Sequence, residues 1–292
     1  MVSAVETAIC SLEKNTFNSE IAFFGGSFTA IDRDYMLSLL EATVPYIDRF
    51  KGIRISTRPD CINEEILALL KKYRVTAIEL GAQSMNDEVL RANNRGHKSS
   101  DVIKASHLIK EYEISLGLQM MTGLYKSSYE TDIDTALKFI SLKPDTVRIY
   151  PTVIMKNTEL EQLYRDGQYI PFTLEETVKL CSQLLCMFDE HDIAVIRLGL
   201  HHSESLITDM VAGVYHPAFR ELCESKIMFD KALKLLRECK VKDKCEIMVS
   251  PSCVSKMIGN KRSNIVRLNE LGYNVKIIQS NDVPFMEVAL KR

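Results

Sequence analysis

Five apolar segments of this 292-residue chain end in short pieces whose residue types could do chemistry. They read GGSFT (25–29), STRPD (56–60), GAQS (81–84), MMTGL (120–124) and YPT (150–152). Each places glycines, hydroxyls or a carboxamide where a hydrophobic core has no use for them. Glycines lack side chains, so their peptide N–H and C=O groups can bond a small zwitterion directly. Five such ends in succession predict a rim facing a polar ligand. Taken alone, Gly25-Gly26 is also what a tight turn requires.

The elements that must position these ends alternate along the first two thirds of the chain. Candidate strands are EIAFFGGS, GIRISTRP, AIELGAQS, SLGLQMMTGL and TVRIYPTVI. Between them NEEILALLKKY, DVIKASHLIKEY and TDIDTALKFISL carry apolar residues at helical spacing. TLEETVKLCSQLLCMFDEHD then reads as a long helix and IAVIRLGLH as one more strand. Repeated strand–helix alternation predicts an α/β fold with a parallel sheet, open or closed into a barrel. Functional groups of such folds collect at the C-terminal ends of the strands, where the five pieces lie.

Composition narrows the class. With 46% hydrophobic and 26% charged residues the chain reads as a globular protein. No apolar run approaches the roughly 20 residues needed to cross a bilayer, so no membrane partner is expected. The N-terminus lacks a basic stretch followed by an apolar one, so no signal peptide is read there. Eight cysteines without secretion signals predict reduced thiols in a cytoplasmic protein. The net charge of −2 is uneven: residues 226–292 hold 14 Lys and Arg against 7 Asp and Glu, a balance of +7. That tail either meets something anionic or is a solvated basic face.

Several phrases together resemble one family. FFGGSFT, STRPD, IELGAQSMNDEVLRANNRGH, MMTGL and RIYPTVIMKNTELEQLYRDGQY are similar, in order, to the radical S-adenosylmethionine (SAM) domain of the Elongator catalytic-subunit-like family, over about residues 21–202. The resemblance implies a partial TIM-type (β/α) barrel of the radical SAM kind. Its rim would bind SAM beside a 4Fe–4S cluster, with radical modification of a substrate, tRNA being the leading one. A flavodoxin or ferredoxin would donate electrons to the full-length enzyme. By position, Gly25, Gly26 and Ser27 would hold the SAM amino group. Ser56 stands where the family usually has Glu, and its hydroxyl could bond a ribose or amino group. Gln83 would approach the ribose, and Arg95 would pair with the carboxylate, which suits a fork-shaped cation. Gln119 and Met121 would lie near ribose and adenine, with Tyr150 flanking adenine.

Plain structural roles stand beside these. Gln83 and Ser84 could cap the next helix, Arg95 could be a surface arginine, and Met120 and Met121 could fill the core. Tyr150 could simply pack, and His97 reads as a polar loop residue. A cluster-free synthase would need an acid–base pair; Asp60 and Glu79 come nearest, but a strand-end turn and a buried ion pair explain them better.

The family's CxxxCxxC loop supplies three thiolates to the cluster. No such triplet occurs among Cys10, Cys61, Cys181, Cys186, Cys223, Cys239, Cys245 and Cys253, and packing thiols is the reading for the helical and C-terminal ones. No metal site is expected in this chain. The loop would precede the helix read at residues 2–15, so the first strand and its cysteines are expected upstream of Met1; a natural cluster-free relative is the alternative.

The expected boundary divides residues 1–202, the barrel, from 203–292, a helical connection and a basic α/β domain. There IGNKRSNI resembles the IGxxGxxI core of KH modules, whose glycine loop clamps nucleotides through their backbone. Arg262 replaces the second glycine. Gly259, Lys261 and Arg262 would meet RNA phosphates; a small structural cap is the other reading. No acetyltransferase domain follows the barrel, so acetyl transfer is not implied. A non-catalytic RNA-binding protein on a cluster-free barrel remains the second functional reading.

Overall fold

A computed structural model describes residues 2–240 and 244–291. The chain forms two compact units, one of residues 1–152 with 187–197, the other of 153–186 with 198–292.

In the first unit α1 (Val2–Leu12) leads to β1 (Glu20–Phe23), α2 (Arg33–Glu41) and β2 (Gly52–Thr57). There follow α3 (Glu64–Lys72), β3 (Val75–Gln83), α4 (Asp87–Ala92), α5 (Ser99–Glu111), β4 (Ser115–Thr122), α6 (Tyr129–Leu142) and β5 (Thr146–Pro151). The second unit takes up β6 (Val153–Met155), α7 (Glu159–Arg165) and most of α8 (Leu174–Asp189). The chain then returns to the first unit for β7 (Ala194–Leu198). These strands form a six-stranded sheet in the order β1-β2-β3-β4-β5-β7, curled into a half-barrel. The pairings from β1 to β5 are parallel. The sheet is the partial barrel that the alternation and the resemblance imply.

Strand residues alternate in environment because successive side chains point to opposite faces. Ile53, Ile55, Ile78, Leu80, Leu118 and Ile149 are buried almost completely. That face packs under the helices, whose own inward residues include Leu67, Leu70, Ile109 and Phe139. The other face carries Arg54, Ser56, Glu79, Gln119 and Arg148. Right-handed crossovers put all the helices on one side of such a singly wound sheet, which leaves the polar residues on the concave side. Gly117 makes room there: a Cβ on it would come within 2.8 Å of the Glu79 Cγ.

The second unit continues with α9 (Glu204–Asp209), β8 (Met210–Gly213), α10 (Phe219–Glu238) and β9 (Cys245–Val249). After these come α11 (Val254–Ile258), α12 (Ser263–Glu270), β10 (Val275–Gln279) and β11 (Val288–Leu290). β6 and β8 form an antiparallel pair, which sequence periodicity did not predict. β9 lies between parallel β10 and antiparallel β11, and α10, α11 and α12 bury Met228, Leu236, Met257 and Leu268 against Ile247 and Val249. The predicted strand, helix, loop at Gly259, helix, strand is observed in that order.

Candidate functional site

The GGSFT piece divides into two halves. Phe28 is buried and stacks on Phe23 at 4.9 Å between centroids. The Thr29 hydroxyl lies 2.6 Å from that of Thr57 and donates to the Cys61 carbonyl at 2.9 Å. Thr29 thus staples the loop to the end of β2. Gly25 and Gly26 are exposed, with no atom within 4 Å of where a Cβ would stand, and Gly25 has φ +108°. The glycines leave backbone open at the rim while the residues after them anchor it.

On the concave face one carboxylate organises four strands. Glu79, 1% exposed, accepts from the Arg148 guanidinium at 2.8 Å, from Gln119 Nε2 at 2.9 Å and from Arg54 at 3.4 Å. Arg54 also donates to Glu20 on β1 at 2.7 Å. Desolvation, the largest single influence on Arg148, lowers its pKa. The hydrogen bond and charge of Glu79, helped by Tyr150, outweigh that and hold it above the ordinary arginine value. Gln119 reaches Ser56 Oγ at 3.2 Å as well, so these two residues bond each other.

Asp60 takes a two-pronged hydrogen bond from Arg58, at 2.9 and 2.5 Å, which holds its carboxyl below the usual range. Glu79 therefore has the buried ion-pair role read for it, while Asp60, read as part of a strand-end turn, lies in the turn after β2 and is also ion-paired with Arg58.

Arg95 is different. It sits exposed in the loop before α5, donates to the Met121 sulfur at 3.4 Å, and forms no ion pair among the described residues. Partial desolvation of its guanidinium lowers its pKa. Met121 is half-buried and registers opposite Tyr150 across β4 and β5, whereas Met120 is core. Gln83 closes β3 with φ +64° at a register shift.

Two structural readings are corrected. Asn86, not Gln83 or Ser84, caps α4, its Oδ1 accepting from the N–H groups of Glu88 and Val89, while Ser84 is buried and serves the Asn86 N–H. Its short amide side chain suits that position better than glutamine's. His97 is no open loop residue: it is buried, with Nε2 3.0 Å from the Ala82 carbonyl, tying the RGH loop to the end of β3.

Sequence reasoning missed Arg54 and Arg148 as partners of Glu79, and Glu20 as the second partner of Arg54, although charges at alternate positions inside apolar strands were the signal. It also missed Asp132. This first-turn residue of α6 is 1% exposed and accepts from the Gly123 N–H at 2.8 Å, bracing the loop after β4. Burial pushes its pKa up to about 7.

The cysteines are all free thiols, and among the described residues no three His, Cys, Asp or Glu side chains could hold a metal. They do not fit a 4Fe–4S cluster. Cys181, Cys223 and Cys253 are buried, and burial pushes the Cys223 thiol up to about 12. Cys239 departs from the packing role: it is exposed at the C-terminal cap of α10, where the helix runs out into solvent.

Gly259, Lys261 and Arg262 lie in the second unit, between α11 and α12. Gly259 has φ +79°, and a Cβ there would meet Ser263 Oγ at 2.6 Å and the Asn264 N at 3.0 Å. Lys261 and Arg262 are both exposed and left-handed, with φ +50° and +63°. Asn264 pins the loop from beneath: buried, it donates to the Ser225 and Met257 carbonyls at 2.9 and 3.2 Å.

The strands form a singly wound parallel half-barrel, with the open Gly25-Gly26 turn and Arg95, which forms no ion pair among the described residues, at strand ends. The profile of the radical SAM superfamily matches residues 10–139, and that of the Radical_SAM C-terminal domain matches residues 144–228. The chain belongs to the radical SAM superfamily, among relatives of the Elongator type. It is 30% identical over 230 residues to human Elongator complex protein 3, covering 71% of this chain and 41% of that one. It is 34% identical over 137 residues to the tRNA uridine(34) acetyltransferase of Methanocaldococcus infernus, covering 46% of this chain and 26% of that one. Among solved structures it is similar to the archaeal Methanocaldococcus infernus Elp3 with an N-terminal deletion, at TM-score 0.67 and 26% identity over 80% of this chain and 59% of that one. The chain thus spans less than half the length of these two curated relatives. The superfamily uses SAM and a 4Fe–4S cluster. No described helix is long and apolar enough to cross a membrane.

Proposed function

We propose that the half-barrel rim holds SAM, and that the chain takes part in radical modification of an RNA, with tRNA as the substrate class. The observation that carries this is Arg95, an exposed guanidinium with no carboxylate partner among the described residues, on the same rim as the open backbone of Gly25 and Gly26. A planar fork of donors matches a carboxylate, and the open backbone at Gly25 and Gly26, with Ser27 beside it, matches an ammonium and its neighbours, although the Ser27 carbonyl already accepts from the Ala30 N–H. Gln83, Met121 and Tyr150 would line the nucleoside side, with Ser56 and Gln119 held ready by their mutual hydrogen bond. Reductive cleavage of SAM needs a cluster, which the described residues do not fit. This chain's own part is therefore to bind and orient SAM. The relatives whose names include tRNA support the substrate class, as do the basic tail and Lys261 and Arg262 at Gly259.

Calorimetric titration with SAM and with its decarboxylated analogue tests the assignment. SAM should bind more tightly than the analogue, and Arg95→Ala should abolish the difference. Equal binding of both by the wild type would refute the Arg95 role. A second reading, favoured because no three His, Cys, Asp or Glu side chains among the described residues could hold a metal, is a non-catalytic RNA-binding protein on a cluster-free barrel. It predicts salt-dependent RNA binding with no SAM affinity.

A further inference from the structure

Arg95 carries the proposed site, yet its side-chain contact does little to hold it. The guanidinium donates to the Met121 sulfur at 3.4 Å, and a thioether is a weak acceptor. What sets the arginine in place therefore lies in the loop that bears it.

That loop is tied to α4 through the Arg95 N–H, which donates to the Leu90 carbonyl at 2.9 Å. Two residues earlier stands Asn93, the half-buried C-terminal cap of α4. Its Nδ2 donates to the Val89 carbonyl at 2.8 Å and to the Tyr125 carbonyl at 2.9 Å. Carbonyls only accept, so the amide can face both partners in one orientation alone, and the two bonds use both of its protons. Val89 lies in α4, but Tyr125 lies 32 residues on, in the loop after β4. Capping the helix needs Val89 alone; the bond to Tyr125 does nothing for α4. It joins the arginine loop to a second rim segment.

The second segment is fixed from its own side. Two residues before Tyr125, the Gly123 N–H donates to buried Asp132 of α6 at 2.8 Å. Leu124, 4% exposed, anchors the loop in the core, and its carbonyl accepts from the Ser127 N–H at 2.8 Å to close a turn. The Lys126–Glu88 pair, 3.7 Å apart and open to solvent, adds little. A braced loop and one amide bridge thus hold the Arg95 loop against the end of β4 more firmly than a sulfur contact can.

We propose that Asn93 is a positioning residue for Arg95, its bridge to Tyr125 holding the guanidinium where a ligand carboxylate can take both prongs of the fork. The inference rests on the SAM reading above and adds to it a residue that acts through Arg95.

Calorimetric titration with SAM and its decarboxylated analogue tests it through the ratio of their affinities, which reads the carboxylate contact. Asn93→Ser keeps a short donor for the Val89 carbonyl, since serine hydroxyls bond carbonyls one turn back, but it cannot also reach Tyr125. The ratio should fall several-fold at an unchanged melting temperature, with affinity for the analogue as in the wild type. Asn93→Leu, similar in size and without a donor, should lower the ratio at least as far. Added to Arg95→Ala, Asn93→Ser should lower it no further, because both act on one contact. A wild-type ratio in both Asn93 variants, or equal weakening of SAM and analogue, would overturn the positioning role. Loss of the ratio in Arg95→Ala would in that case leave the SAM reading standing. Equal binding of the two ligands by the wild type would sink both.

Discussion

The concave face of the half-barrel and the Gly259 loop both gather charge, but they use it in opposite ways. On the barrel face Glu79, Arg148, Arg54, Gln119 and Glu20 satisfy one another across β1 to β5, nearly out of water. In the loop Lys261 and Arg262 stand in solvent without ion-pair partners among the described residues, on strained backbone. A buried charge must be paired because desolvation is costly; an exposed one left unpaired is free to meet a ligand. Arg95 belongs with the second kind although it sits in the first unit. Polar residues at strand ends are therefore not equivalent: those turned into the sheet brace it, and those at the lip face outward.

Breaking the braced set should have the largest effect. Glu79→Ala leaves Arg148 and Arg54 without their shared carboxylate and should lower stability by about 3–5 kcal/mol, read from the urea midpoint. Asp132 comes next. Its pKa is raised in the folded state from 3.8 to about 7, so the folded protein binds the proton more tightly than the unfolded chain. Its contribution is fully present below about pH 4 and is lost as pH rises to about 7, by up to about 4 kcal/mol. Melting temperatures should fall across that window, and Asp132→Asn, whose carbonyl can still accept from Gly123, should flatten this part of the profile.

Substitutions at the lip should leave stability within about 0.5 kcal/mol and act on ligands. Arg95→Ala should weaken SAM binding by ~1.5–3 kcal/mol, the range for a hydrogen bond to a charged group. Lys261→Gln should have the smallest effect, a uniform loss of RNA affinity with the salt slope reduced by about one.

Much of the fold was legible because it is written in local periodicity. The switch from period 2 in GIRIST to helical spacing in NEEILALLKKY marks β2 and α3, and the same alternation recurs to β5. The short β6–β8 pair was not, since three or four residues carry little pattern and their partner is distant in sequence. Within the candidate site, Gly25-Gly26 could be singled out by residue type, and Arg95 only through the family resemblance of the RGH segment. The division of GGSFT could not, because Thr29 acquires its anchoring role only from Thr57 and Cys61, some thirty residues away. Glu79 was readable as an ion pair, but its partners were not, as pairing across strands depends on register. His97 looked polar and is buried, because a single backbone carbonyl, that of Ala82, satisfies it.

One paired measurement bears most directly on the distinction between bracing and ligand-facing charge. SAM affinity and urea stability should be determined together for the wild type, Arg95→Ala and Glu79→Gln. The structure predicts that Arg95→Ala loses SAM affinity at unchanged stability, while Glu79→Gln loses stability and, where still folded, keeps most of its affinity. If Arg95→Ala instead unfolded the protein, or bound SAM as the wild type does, Arg95 would be another brace and the proposed site would be wrong.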